Sequence, residues 1–303
     1  MIDNRLRISE FDIDERFLLD KIGVAQVSRK EADADTSTLA IAALRKLLAT
    51  GFVDRGDIDC LVVCTQNPDA GGIPHVSAIV HGELGLPESC ACFDIGLGCS
   101  GYVYGLSIVC GFMQQNSLRN GVLVTADPYS KIVDPSDRNT ALLFGDAATA
   151  TLLDAHGSWV PGKFAFFSRG SDRDALIVID GRLRMNGRAV FNFSATTVPE
   201  QIDGLLAACS IRKDEVDRYF LHQGSRFIVD TICRRMSLNP AQVPLGLESQ
   251  GNTVSSSIPL LLASYVNADH AGNLDARYVL SGFGVGLSAA TTILNRRQGN
   301  NHA

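Results

Sequence analysis

Arg55-Gly-Asp-Ile-Asp-Cys-Leu-Val-Val-Cys-Thr-Gln-Asn67 and Arg212-Lys-Asp-Glu-Val-Asp-Arg-Tyr-Phe-Leu-His-Gln-Gly-Ser225 write one pattern twice. Each passes from a helix end through acidic residues into a short apolar run, then turns polar. Such runs read as buried strands whose ends open into loops. The distance to the next strand repeats as well. From Asp59 to Gly121 is 121 − 59 = 62 residues, and from Asp217 to Arg277 is 277 − 217 = 60. Similar elements at similar spacing predict a duplicated α/β half.

The neighbouring segments extend this reading. Thr36-Ser37-Thr38 supplies capping residues ahead of the apolar stripe Leu39, Ala42, Leu44, Leu47 and Leu48, predicting a helix. Cys60–Cys64 is a strand, Ser77–Leu84 a helix, Ala91–Ile95 a strand and Ser100–Met113 a helix, with strand Gly121–Ala126 next. In the second half, helix Arg226–Met236 puts Phe227, Ile228, Ile232 and Met236 on one face. A turn at Gly251-Asn252-Thr253, a helix from Ser257 and strand Arg277–Ser281 follow. Strands alternating with helices predict parallel or mixed sheets covered on both faces. Residues 155–200 read as the least regular part. No linker separates the halves, so 1–155 and 156–303 should pack as one unit.

Composition narrows the class. The 303 residues are 46% hydrophobic and 20% charged, which excludes a disordered chain. Lys and Arg number 27 against 33 Asp and Glu, a net charge of −6, with no basic run to hold nucleic acid. No apolar stretch reaches the ~20 residues of a membrane span. The start Met1-Ile-Asp3 with Arg5 and Arg7 predicts no signal peptide. Eight cysteines inside apolar runs suit free thiols in the cytoplasm, and neither they nor the histidines have metal-ligand spacing.

Cys99 is the residue to weigh first. In Ile95-Gly-Leu-Gly-Cys-Ser-Gly101 it follows a strand and precedes a helix, where the helix dipole should favour thiolate and expose sulfur. Cys60, Cys64, Cys90, Cys92, Cys110, Cys209 and Cys233 read as buried small residues. His222 closes a strand, and ligands gather at such carboxyl ends. Asn252 lies in a turn before a helix. Both can donate hydrogen bonds to an oxygen gaining negative charge. His75, His81, His156, His270 and His302 read as structural or surface. Gly282-Phe-Gly-Val-Gly286 lacks nucleotide-loop spacing.

Together these motifs resemble the thiolase superfamily, in its β-ketoacyl-acyl carrier protein synthase III branch. Asp134-Pro-Ser-Asp-Arg138, Phe144-Gly-Asp146, Met185-Asn-Gly-Arg-Ala-Val-Phe191, Ser257-Ile-Pro259 and Gly282–Gly286 carry the likeness in family order. The resemblance implies a thiolase-like α/β fold, two similar halves in five layers. It implies that Cys99 takes up an acyl group from a thioester. His222 and Asn252 would then stabilise the enolate formed when a malonyl-acyl carrier protein loses carbon dioxide. The backbone amides of Cys99 and Val285 would form an oxyanion hole, and Phe17, Lys21, Ile73, Arg138, Gly187, Phe191 and Ser225 would bind substrate. Coenzyme A or phosphopantetheine thioesters enter as substrates, with no cofactor or metal. An acyl carrier protein is the implied partner, and a homodimer the implied assembly.

The chain also departs from the family. Phe17 and Lys21 stand where acetyl-priming members carry Trp and Arg, and Gly224 and Ser225 replace Ala and Asn after His-Gln. Val285 replaces a glycine, and Ile73 a larger residue at the pocket floor. These changes imply a starter longer than acetyl, delivered on coenzyme A or a carrier protein. Family members open with a strand before the region matching Asn4; its absence here implies either a start assigned too late or a protein without that strand, and the unpaired edge left by its loss favours the first. Two other readings share this fold: acyl transfer from Cys99 to a hydroxyl or amine, and a non-catalytic subunit of a heterodimer.

Overall fold

The first repeat begins to take shape at Asp59. In a computed structural model describing residues 1–266 and 275–297, its carboxylate accepts the amides of Arg119 and Asn120, at 2.7 and 2.9 Å. Asp217 does the same in the second half, accepting the Arg277 amide at 2.8 Å. Each aspartate fastens the start of one strand to the start of its parallel neighbour. That shared clamp is the physical content of the repeated spacing. His270 and His302 lie outside the described residues.

In chain order the first half comprises β1 (Ile2–Asp3), β2 (Gln26–Val27), α1 (Thr36–Leu48), β3 (Cys60–Cys64), α2 (Val76–Leu84), β4 (Ala91–Ile95), α3 (Gly101–Asn116), β5 (Gly121–Ala126), α4 (Arg138–Ala141) and β6 (Ala148–Leu153). The second comprises β7 (Trp159–Ser168), β8 (Leu176–Ile179), β9 (Arg182–Met185), α5 (Gly187–Ala208), β10 (Arg218–Leu221), α6 (Arg226–Arg235), α7 (Ser257–Val266), β11 (Arg277–Gly284) and β12 (Ser288–Arg296). β3 pairs in parallel with β5, which pairs antiparallel with β6. β10, β11 and β12 repeat that arrangement. The halves differ at their flanks: the sheet orders are β4-β3-β5-β6 and β10-β11-β12-β7.

Alternating side chains sort the strands into layers. Val62, Leu123, Phe220, Tyr278 and Leu280 face a shared middle layer with Tyr102, Val103 and Leu106 of α3 and Ile258 of α7. Leu61, Val63, Val122 and Val124 face the other way, against α1 and α2. Tyr219, Leu221, Val279 and Ile293 face α5 and α6. The result is the α/β thiolase-like fold in five layers, with both sheets packed on one central helical layer. Among the described residues no helix is long and apolar enough to cross a membrane.

One expectation needs correction. Residues 155–200 are not irregular: they hold the ten-residue β7, the β8–β9 hairpin and the start of the 22-residue α5. Pro199 and the β-branched run Thr196-Thr197-Val198 lower the helix propensity of α5, and tertiary packing overrides it. Among the described residues β6 has no outer neighbour where β12 has β7, so β6 forms a sheet edge.

Phe220 is fully buried in the middle layer beside Tyr278 and Tyr265. Phe220→Ala should therefore lower the free energy of unfolding by about 3–5 kcal/mol, read from a urea titration.

Candidate active site

Cys99 follows β4 in a turn closed by a 2.7 Å hydrogen bond from the Gly101 amide to the Gly98 carbonyl. The end of β11 packs directly on that turn. A Cβ on Gly284 would sit 2.8 Å from the Cys99 sulfur, and one on Gly282 would sit 2.7 Å from its carbonyl oxygen. Only glycine permits this approach. Cys99 is 3% exposed. Its thiol is pushed up to about 12, first by burial and further by Asp127, against the lowering pull of the Val285 backbone and its own. The expected acidic, exposed thiol is thus corrected: desolvation outweighs the helix terminus.

A raised thiol pKa does not single out Cys99, because burial also pushes Cys60 up to about 11 and Cys90 up to about 12. Position does. Among the described residues Cys99 is the one cysteine that lines a cavity of about 530 Å3 in front of the strand ends.

His222 follows β10 and lines the same cavity. Its Nδ1 lies 2.7 Å from Ser257 Oγ, at the start of α7, and its ring stands edge-on to Phe283 at 5.5 Å. Burial drives its pKa down to about 3, against a smaller upward pull from the Val254 backbone, so the imidazole is neutral near pH 7. Asn252 completes the wall. Its amide donates to the Leu143 carbonyl at 2.8 Å, and its Oδ1 accepts the Val254 amide at 2.9 Å. That bond fixes the side-chain amide, leaving Nδ2 with no hydrogen-bond partner among the described residues. A thiol, a neutral imidazole and an unused amide donor thus share one largely apolar cavity.

The chain is similar to known proteins along most of its length. The chain matches the family models for 3-oxoacyl-[acyl-carrier-protein (ACP)] synthase III over residues 93–170 and for its C-terminal part over 206–296. It is 31% identical over 300 residues to the β-ketoacyl-[acyl-carrier-protein] synthase III of Lactobacillus helveticus, covering 93% of this chain and 90% of that protein. The chain belongs to the β-ketoacyl-acyl carrier protein synthase III family. A solved 3-oxoacyl-(acyl-carrier-protein) synthase III superposes with a TM-score of 0.91 at 33% identity, covering 97% of this chain and 95% of that one. The Thermus thermophilus synthase III gives 0.90 at 25% identity, with 98% and 96% covered.

Of the residues that family likeness suggested for substrate, Phe17, Lys21, Gly187, Phe191 and Ser225 line the cavity. Arg138 does not; it stands beside Phe17, its guanidinium 6.0 Å from the ring. Val285 packs against the Cys99 cluster without lining the cavity. Ile73 is 85% exposed and outside the lining set within this chain. Ser225 also has a second task, because its Oγ accepts the Ile228 amide at 3.3 Å and caps α6.

Ser257 and Phe283 carry no local signal of a place at the site, and Phe227, expected on the apolar face of its helix, instead lines the cavity. Ser257 opens the Ser257-Ile-Pro259 motif, yet nothing local signals that its hydroxyl meets His222 from 35 residues away. Phe227 stacks on Phe191 at 5.0 Å across α5 and α6.

A buried thiol near 12 sets a clear pH expectation. Alkylation of Cys99 by iodoacetamide, followed on the 91–113 peptide, should climb about tenfold per pH unit from about 7 to 10 without a plateau. A plateau below pH 8 would show the thiol to be acidic after all.

Proposed function

We propose that the protein catalyses the decarboxylating Claisen condensation of an acyl thioester with a malonyl-acyl carrier protein, yielding a 3-oxoacyl product. The observation that carries this reading is the meeting of Cys99 with two neutral donors, His222 and Asn252, in one buried cavity. In the first stage the Cys99 sulfur attacks the acyl carbonyl. The thioester bond to coenzyme A breaks, the acyl group moves to Cys99, and the proton ends on the departing sulfur. The backbone amides of Cys99 and Val285 hold the oxyanion, since both already favour negative charge at this position.

In the second stage the malonyl C–carboxylate bond breaks and carbon dioxide leaves. Its electron pair enters the enolate, whose oxygen accepts from His222 Nε2 and Asn252 Nδ2. Ser257 donating to Nδ1 leaves the proton on Nε2, the tautomer this task needs. The enolate carbon then attacks the Cys99 acyl group and expels the sulfur as thiolate. Two donors suited to an enolate favour condensation over acyl transfer to a hydroxyl or amine. The scheme draws only on thioester substrates and this chain's own residues.

Lys21 and Arg188 line the cavity and Arg138 stands beside Phe17. These three cations suit the phosphates of coenzyme A or of a carrier protein's phosphopantetheine arm. Phe17 lies near two of them, Lys21 Nζ at 5.9 Å and the Arg138 guanidinium at 6.0 Å, and offers less stacking surface than Trp. This supports delivery on a carrier protein. For Ile73 to floor a pocket, a symmetric homodimer must bring it across from a second copy.

Exposure to an acyl donor should place the acyl mass on Cys99 alone, mapped to the 91–113 peptide; an adduct mainly on Cys60 or Cys209 would overturn the assignment. Asn252→Ala should leave that acylation nearly intact and lower carbon dioxide release by about 100-fold. Equal loss of both steps would favour simple acyl transfer. Ile73→Phe should depress acylation by a medium-chain donor and spare the acetyl donor, when rates are compared on coenzyme A and on carrier protein.

A further inference from the structure

A second cavity lies behind the first. It measures about 310 Å3 and is lined by Gln223, Gly251, Thr253, Ser257, Leu260 and Ser264, among others. The two cavities share no lining residue, but they share a wall. His222 and Asn252 face the front cavity, while their chain neighbours Gln223, Gly251 and Thr253 face the rear one. One side chain bridges that wall: Ser257 lines the rear cavity, and its hydroxyl touches His222 Nδ1 at 2.7 Å. The rear lining carries hydroxyls and amides and no charged side chain. It has room for about ten waters at roughly 30 Å3 each.

We propose that this rear cavity is the proton inlet of the enzyme, feeding Cys99 from solvent through Ser257 and His222. The inference rests on the condensation reading, because that reaction consumes one proton per cycle. Carbon dioxide carries none away, and breaking the acyl–sulfur bond leaves the electron pair on Cys99 as thiolate. The co-reactant that restores the thiol is a proton from water. In the front cavity the pantetheine arm of the product occupies the approach, and His222 is only 2% exposed.

From behind, the transfer balances without charging the ring. His222 Nε2–H passes its proton to the thiolate while Nδ1 takes the proton of the Ser257 hydroxyl, and a water in the rear cavity restores that hydroxyl. The ring is then protonated on Nδ1; once the product leaves, Nε2 takes a proton from water entering the front cavity as Nδ1 returns its own through Ser257, which restores the starting tautomer. Burial opposes a doubly protonated ring, so exchange of one proton for another suits this imidazole.

Ser264→Phe and Leu260→Phe each put a ring into the rear cavity from α7, and neither residue lines the front one. Turnover should fall about tenfold and become more sensitive to deuterated water, while single-turnover acylation of Cys99 stays within about twofold. Ser257→Ala should share this pattern, and Ser257→Thr, which keeps the hydroxyl, should recover most of the turnover. The inlet is overturned if both ring variants turn over at the wild-type rate with an unchanged deuterium effect. It is equally overturned if both lose acylation as strongly as turnover. Wild-type protein that acylates Cys99 but releases no carbon dioxide from malonyl-carrier protein would instead remove the condensation reading itself.

Discussion

The close approach of β11 to the turn around Cys99 is the contact on which the site depends. Backbone of the second half, at Gly282 and Gly284, lies against the sulfur and carbonyl of a residue from the first half. Ser100 and Ser288 add a buried hydroxyl pair at 2.8 Å beside it. Any side chain at the two glycines would drive the halves apart. Cys99 comes from one half and His222 and Asn252 from the other, so the three meet in one cavity only because these backbones touch.

Burial then decides the chemistry of each group. The same desolvation that raises the Cys99 thiol lowers the His222 imidazole, so both are neutral near pH 7. A neutral pair suits a site in which charge must form on the substrate and be met by hydrogen-bond donors. It also removes the helix terminus as the explanation for reactivity. The amides near the sulfur do not outweigh burial, so they maintain no thiolate at rest.

The duplicated halves use one strand ending for two purposes. Thr65-Gln66 after β3 corresponds to His222-Gln223 after β10. In the first half that ending braces the fold: the Gln66 amide at 2.7 Å and the Thr65 hydroxyl at 3.3 Å donate to the buried Asp127 carboxyl. Ser255, three residues beyond Asn252, donates to the same carboxyl at 2.7 Å. Burial raises Asp127 to about 7, against these donors. One copy of the turn thereby anchors the loop that carries Asn252, while the other supplies the imidazole.

Local pattern was enough to place β3, β4, β5, β10 and β11 and the repeat they form. Cys60–Cys64 and Gly121–Ala126 are buried along their whole length, and burial on both faces is what makes such strands read as largely apolar runs. It was also enough to bring Cys99, His222 and Asn252 to notice, since strand ends and tight turns are local features. α5 escaped it, because packing rather than propensity holds those residues in a helix. The acidity of Cys99, the partner of His222 and the cavity behind it came only with the folded arrangement. Each depends on what lies across the sheet boundary: how much water is excluded, and which hydroxyl arrives from 35 residues away. Desolvation and hydrogen-bond partners act through space, and the order of residues along the chain does not encode them locally.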